Sequence, residues 1–386
     1  MKVALVHDYL HQFGGAERVL KAFTELYPRA PIFTLFYDAE RTKGVFADRQ
    51  IVTSRLQRRR FIRERHHLFP WLMPFHVEQF DLRDFDLVLS DSSSFAKGVI
   101  TKPGTIHIDY CHTPMRYAWD DSHQYLEGYG LPWFAKRFAP WGLNYLRMWD
   151  YEASRRVDHF IANSILVKQR IQKYYRREST VIYPPVEFPG TVELSSSIDG
   201  TERAAELTPK DAKADYFLVV ARLEPYKQTE LAIETCNELR LPLRIVGIGR
   251  EFTRLKRLAG RTVSFLGSVS DDELHSLYTN ARAVIFPQLE DFGIVPLEAM
   301  AHCTPVIAYG AGGALESVVR DTTGIFFRKQ TTQSLIEAIK RFETMRFDKD
   351  VIRARAATFD KATFQDRIQS YIADVLSHQL TQRYGT

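Results

Sequence analysis

AVIFPQLEDFGIVPLEAM, residues 283–300, opens as a short apolar strand-like run and closes as an apolar helical run. A carboxylate stands on each side of the turn between them, Glu290 and Glu298, with Gly293 and Pro296 in the interval. Proline fits a first helical turn, where no backbone donor is lost, so the helix starts near Gly293 or Ile294. Glu290 then lies in the loop ahead of the helix, and Glu298 on its first turn or just beyond. Both carboxylates can reach one ligand, and the amides of Phe292, Gly293, Ile294 and Val295 point at the same place. Carboxylates hold sugar hydroxyls, and amides at a helix start hold phosphate. Compensation of the helix dipole is the alternative reading of Glu298.

The same strand-to-helix alternation runs through the chain. KVALVH, IFTLFY, DLVLS, IHIDY, HFIAN and TVIYP read as strands in the first half. YFLVVA, LRIVG, VSFLG, AVIFP, PVIAY and GIFF follow in the second, with helical patterns between most of them. Such alternation predicts parallel sheets covered on both faces. A length of 386 residues exceeds what one core usually serves. The reading is therefore α/β, with two Rossmann-like doubly wound domains and a cleft between them. Residues 1–186 form the first domain and the polar stretch 187–214 a linker or variable loop. Residues 215–360 form the second domain, and 361–386 an amphipathic helix packing back on the first.

Composition narrows the function. A net charge of +5 suits an anionic small ligand or an anionic membrane surface and is too small to argue for nucleic acid. Cys111, Cys236 and Cys303 lie far apart with no CxxC pair, which argues against a zinc site or a disulfide framework and fits a reducing compartment. Asp8 interrupts the N-terminal apolar run too early for a signal peptide, and no run is long enough to span a membrane. A soluble protein on the cytoplasmic side is expected.

Ligands of open α/β sheets bind beyond the carboxyl ends of the strands. After the first strand, Gly14 and Gly15 allow close approach to an anion at a helix start, or form a plain tight turn. Asp38, read as ending the second strand, mimics the acid of a dinucleotide site, but GxGxxG is missing. In ARLEPYK, Arg222 and Lys227 suit a diphosphate, with an ordinary solvated loop as the alternative. Gly247 and Gly249 in IVGIGRE mark a further strand-to-helix turn. The adjacent acids Asp271 and Asp272 read as a helix N-terminal charge pair in preference to a metal site.

GGAER, ARLEPYK and the E-x7-E of EDFGIVPLE, in this order, resemble the retaining glycosyltransferases of family four, which have the GT-B fold. FPWLMPFHVEQFDLRDFDLVLSDSSSFAKGV, YCHTPMRYAWD and VIYPPV are similar to mannosyltransferases of O-antigen and exopolysaccharide assembly, which commonly use GDP-mannose. The resemblance implies that Arg222 and Lys227 bind the donor diphosphate and stabilise the leaving nucleotide. It implies that Glu298 holds the ribose, Glu290 contacts the hexose near its reacting centre, and His112 sits by the transferred sugar. Gly14 and Gly15 would line the phosphate, with Gly247 among the converging loops, and the backbone near Ser268 and Val269 would meet the base. No metal or other cofactor is implied. With no obvious nucleophile, front-face attack by the acceptor is favoured. A UDP-hexose donor, or a sugar-nucleotide epimerase, is the alternative.

Residues 55–76, RLQRRRFIRERHHLFPWLMPFH, join six arginines to aromatic and apolar residues. Such a run is either a solvated face or an interfacial segment for anionic lipid. All five tryptophans fall between Trp71 and Trp149, as sugar or lipid contacts or as an aromatic core. The resemblance implies a lipid-linked oligosaccharide acceptor on the first domain and peripheral docking on the inner face of a membrane.

Overall fold

The computed structural model describes residues 1–120, 133–188 and 215–384. They fall into two units, Met1–Pro185 with Phe364–Thr386, and Val186–Thr363. The boundary precedes Val186 because its N–H donates to Phe359 O (2.9 Å), within the second unit. Most of the stretch 187–214 lies outside the described residues.

The first unit is a parallel sheet of β1 (Val3–His7), β2 (Ile32–Thr34), β3 (Ile51–Thr53), β4 (Leu87–Ser92), β5 (Ile106–Cys111), β6 (His159–Ala162) and β7 (Ser179–Val181). Their order is β3-β2-β1-β4-β5-β6-β7, so the winding direction reverses between β1 and β4. Both faces are covered, which is why β1, β4 and β5 are buried at every residue instead of alternating. One face packs Leu5, Leu89 and Ile108 against Val19, Leu20 and Phe23 of the helix Gly15–Leu26. Phe364, Ile368, Ile372 and Val375 of the C-terminal helix Lys361–Tyr384 complete that core. The other face packs Ala4, Val6 and Val88 against Met73, Val77, Phe95 and Leu146.

The second unit holds β8 (Phe217–Val220), β9 (Leu243–Val246), β10 (Val263–Gly267), β11 (Ala283–Phe286), β12 (Val306–Tyr309) and β13 (Gly324–Phe327). The order β10-β9-β8-β11-β12-β13 reverses between β8 and β11. Each sheet is thus doubly wound, with its switch point between its first strand and the strand that begins its second half.

Two details differ from the sequence reading. IFTLFY forms a strand only over Ile32–Thr34, with Tyr37 in an isolated bridge to Leu10, and Ile51–Thr53, not read as a strand, adds an edge to the sheet. Asp38 therefore lies beyond β2, where its carboxylate accepts from the Arg41 N–H at 3.1 Å and closes a turn. Asp271 and Asp272 open the helix Asp271–Asn280 behind a capping box formed by Ser270 and Glu273.

Candidate functional site

In the second unit the sequence-marked residues gather at the carboxyl ends of the strands. Lys227 follows β8 and Glu290 follows β11, on the two sides of the switch point. Their side chains are joined directly, Nζ of Lys227 to Oε1 of Glu290, and both are mostly buried (14% and 17% exposed). Lys227 also stands 5.0 Å from the Tyr226 ring centre, and Arg222 donates to the Tyr226 hydroxyl at 3.1 Å. The cationic loop and the acidic loop therefore neutralise one another across the switch point, where an open α/β sheet takes its ligand.

The helix Ile294–Ala301 starts directly after Gly293, which has φ +84. A side chain there would strike the Phe286 ring, its Cβ 2.8 Å from Cζ. Glycine is thus required both by the backbone and by the close approach of β11. The loop after β12 presses from the other side, with the Gly313 N–H donating to Glu290 O at 3.0 Å. A Cβ on Gly313 would lie 2.2 Å from Phe292 Cα. That Gly310–Gly313 turn fixes the Glu290 backbone, and YGAGG was not singled out as part of the site.

Gly247 has a reason of its own. With φ +136, its missing Cβ would lie 1.9 Å from Ala221 O, so the residue lets β9 run beneath the loop that carries Arg222. Its N–H donates to Gly267 O at 2.7 Å, which brings the turn bearing Ser268 and Val269 alongside. Gly247 therefore acts on its neighbours' backbone.

Glu298 lies on the second turn of its helix and accepts the Tyr278 hydroxyl at 2.8 Å. Tyr278, buried on the helix Asp271–Asn280, was missed because it precedes Glu298 by twenty residues on another element. The hydroxyl holds one carboxylate oxygen in place.

In the first unit His112, just past β5, reaches across to Asp91 of β4, Nε2 to Oδ1 at 2.5 Å. The other oxygen of Asp91 accepts from His7 Nδ1 at 2.8 Å, and β1 and β4 pair His7 with Asp91 in register. His7 Nε2 faces Glu17 Oε1 at 3.8 Å. Glu17 Oε2 accepts the Gly14 N–H at 2.8 Å, so Glu17 occupies the amide of the glycine that precedes Gly15. Burial works against a charged His7, but Asp91 and Glu17 outweigh it and raise its pKa to about 10. Burial likewise opposes ionisation of Asp91, and His112 and His7 outweigh it, holding the carboxyl below its usual range. His112 is raised by Asp91 against its own burial. Asp8, next to His7, accepts four backbone N–H groups, from Ser93, Ser94, Phe95 and Ala96, at 2.6–2.8 Å. His7, Asp8, Glu17 and Asp91 were not read as site residues.

The arginine-rich segment shows two faces. Leu56 and Met73 are buried, while Phe61, Trp71 and Phe75 stand 57%, 49% and 63% exposed. Of the tryptophans, Trp119 stacks on Tyr174 and Trp149 packs on Phe95, whereas Trp141 is exposed. Trp119 and Trp149 thus pack within the protein, and Trp141 faces outward. Residues 121–132, which follow YCHTPMRYAWD, lie outside the described residues.

Comparison with known proteins places the chain. Residues 13–188 match the model of Glycosyltransferase Family 4, and residues 201–359 match that of Glycosyl transferases group 1. The chain belongs to the family-four glycosyltransferases with the GT-B fold. Alpha-1,3/1,6-mannosyltransferase ALG2 of Mus musculus is 30% identical over 253 residues, 58% of either chain. O-antigen chain mannosyltransferase C of Escherichia coli is 26% identical over 47% of this chain and 50% of its own. The chain thus spans about half the length of these relatives. Anabaena Alr3699/HepE, crystallised in complex with UDP, shares the fold with a TM-score of 0.65 at 19% identity, covering 97% of this chain and 100% of its own.

Proposed function

We propose that this protein is a retaining, metal-independent mannosyltransferase that moves mannose from GDP-mannose to a lipid-linked oligosaccharide in cell-surface polysaccharide synthesis. The joined Lys227 and Glu290 side chains at the switch point carry this reading. A donor diphosphate would take Lys227 and Arg222, freeing Glu290 for the hexose, while Glu298 takes ribose hydroxyls. Departure of a nucleoside diphosphate leaves an oxocarbenium-like sugar. Fixed cations and the amides at the start of the helix Ile294–Ala301 would stabilise the negative charge that departs. His112 would attend the transferred sugar. Mannosyltransferases among the relatives support the choice of sugar.

The acceptor would lie on the first unit, with the protein docked peripherally on the cytoplasmic face of a membrane. Six arginines beside the exposed Phe61, Trp71 and Phe75 support docking on anionic lipid, and among the described residues no helix is long and apolar enough to cross a membrane.

The anomeric configuration of the product tests the mechanism. Transfer from the α-linked donor is expected to give an α-mannoside, read from the one-bond carbon–proton coupling of the product by NMR. A β-mannoside would exclude retention. Transfer from a UDP-hexose, and not from GDP-mannose, would keep the site and replace the donor.

A further inference from the structure

Three side chains in the first unit that the proposed mechanism does not use, Glu17, His7 and Asp91, form a continuous line with His112. Glu17 holds the Gly14 N–H at the helix start after β1, His7 lies between Glu17 and Asp91, and Asp91 lies between His7 and His112. His7, Glu17 and Asp91 are 4%, 2% and 1% exposed. The two ends of this line are the glycine turn and the histidine assigned, by resemblance, to the donor phosphate and the donor sugar.

We propose that His7 is a positioning residue for His112, sharing the Asp91 carboxylate with it and tying it through Glu17 to the turn at Gly14. This rests on the reading of His112 as the residue beside the transferred sugar. The hydrogen bonds fix what His112 can do. An ionised Asp91 only accepts, so a neutral His112 carries its proton on Nε2 and offers Nδ1 as an acceptor. An imidazolium offers Nδ1–H as a donor in the same orientation. His7 bears on the choice because both imidazoles share one buried carboxylate, and a charged His7 already satisfies half of it. Glu17 acts in the opposite sense by neutralising His7. The groups facing His112 are Asp91 of β4, His7 of β1, Glu17 of the following helix and the Tyr110 ring of its own strand, 5.3 Å away. Two carboxylates and two imidazoliums sum to zero, which lets the line stay charged in a buried place.

The line itself is testable without any ligand. The full chain, labelled with 15N-histidine, is titrated by NMR as wild type, His7→Gln and Glu17→Gln, with His112→Asn assigning the His112 signals. His7→Gln is expected to move the His112 titration to higher pH, since a competing cation is gone. Glu17→Gln is expected to move it lower, and its amide oxygen can still accept the Gly14 N–H. An unmoved His112 signal in both variants, or movement in the same direction, would overturn the proposal. Should His7→Gln fail to fold, an unmoved signal in Glu17→Gln alone overturns it. In transfer assays the alkaline limb of the kcat profile is expected to follow the NMR shift, with KM for the donor nearly constant. A limb that stays put while the NMR signal moves would overturn the link to transfer. Absence of any transfer by the wild type counts against the functional reading alone, because the titration is made on the ligand-free chain.

Discussion

Lys227→Ala is expected to lower kcat for mannosyl transfer by ~10²–10³-fold, the usual effect of removing one preorganised group that stabilises developing charge. The protein should stay folded. Lys227 and Glu290 form a mostly buried pair, so truncating one leaves the other's charge unpaired, a cost on the order of 3 kcal/mol or several degrees of Tm, which the fold survives. Glu290→Ala is expected to fall nearly as far in kcat, because the pair brackets one ligand. The double variant should be little worse than either single one, since groups acting on one transition state are not additive. Steady-state kinetics with thermal melts of all three variants check this. Full activity in either single variant would remove the site assignment.

Asp8→Ala is expected to show the largest loss of stability. One buried carboxylate accepts from Ser93 to Ala96, two N–H groups on each oxygen. Truncation strands four donors at once beside β4. Losses of hydrogen bonds to a buried charge are on the order of 1.5–3 kcal/mol each, so even with relaxation of the loop and entry of water about 4 kcal/mol is expected. For a domain of this size that lowers Tm by about 10 °C. Asp8→Asn should be nearly as damaging, because its NH2 group would face two N–H donors. Melting curves of both variants decide the matter, and a loss below a few degrees in both would show that the loop does not depend on this carboxylate.

Asp8 also shows how far this sequence could be read. In the chain it is only the charge that breaks an N-terminal apolar run. Its partners lie more than eighty residues away, and nothing local announces them. The same holds for His7 and Asp91, which meet because β1 and β4 are neighbours across the switch point. Strand order and register are tertiary facts, so a line of side chains that depends on them is invisible in a string of letters. The two doubly wound sheets were legible because buried parallel strands leave continuous apolar runs, as in KVALVH and AVIFP. The helix start at Ile294 was legible because Pro296 and Gly293 have local backbone reasons.

Within the second unit the outcome is mixed for the same cause. Arg222, Lys227, Glu290 and Glu298 stand on short motifs at strand ends, where the chemistry of the residue type can be read directly. Gly247 could be noticed, but its close approach to Ala221 could not. Gly313 and Tyr278 act through neighbours far along the chain and went unnoticed. Ile51–Thr53 was missed because three residues carry too little periodicity to register as a strand.

The central claim is that the second unit holds a guanosine diphosphate sugar through Lys227 and its neighbours, and its most direct test is ligand-induced thermal stabilisation. Ligands that bind only the native state raise its stability, by about 2.7 kcal/mol at a hundred times Kd. GDP, GDP-mannose, UDP and UDP-glucose would be compared on the wild type and on Lys227→Ala. A rise in Tm with GDP and GDP-mannose, absent with the uridine compounds and strongly reduced in Lys227→Ala, is the predicted result. A rise with the uridine compounds alone, or an equal rise in Lys227→Ala, would contradict the account.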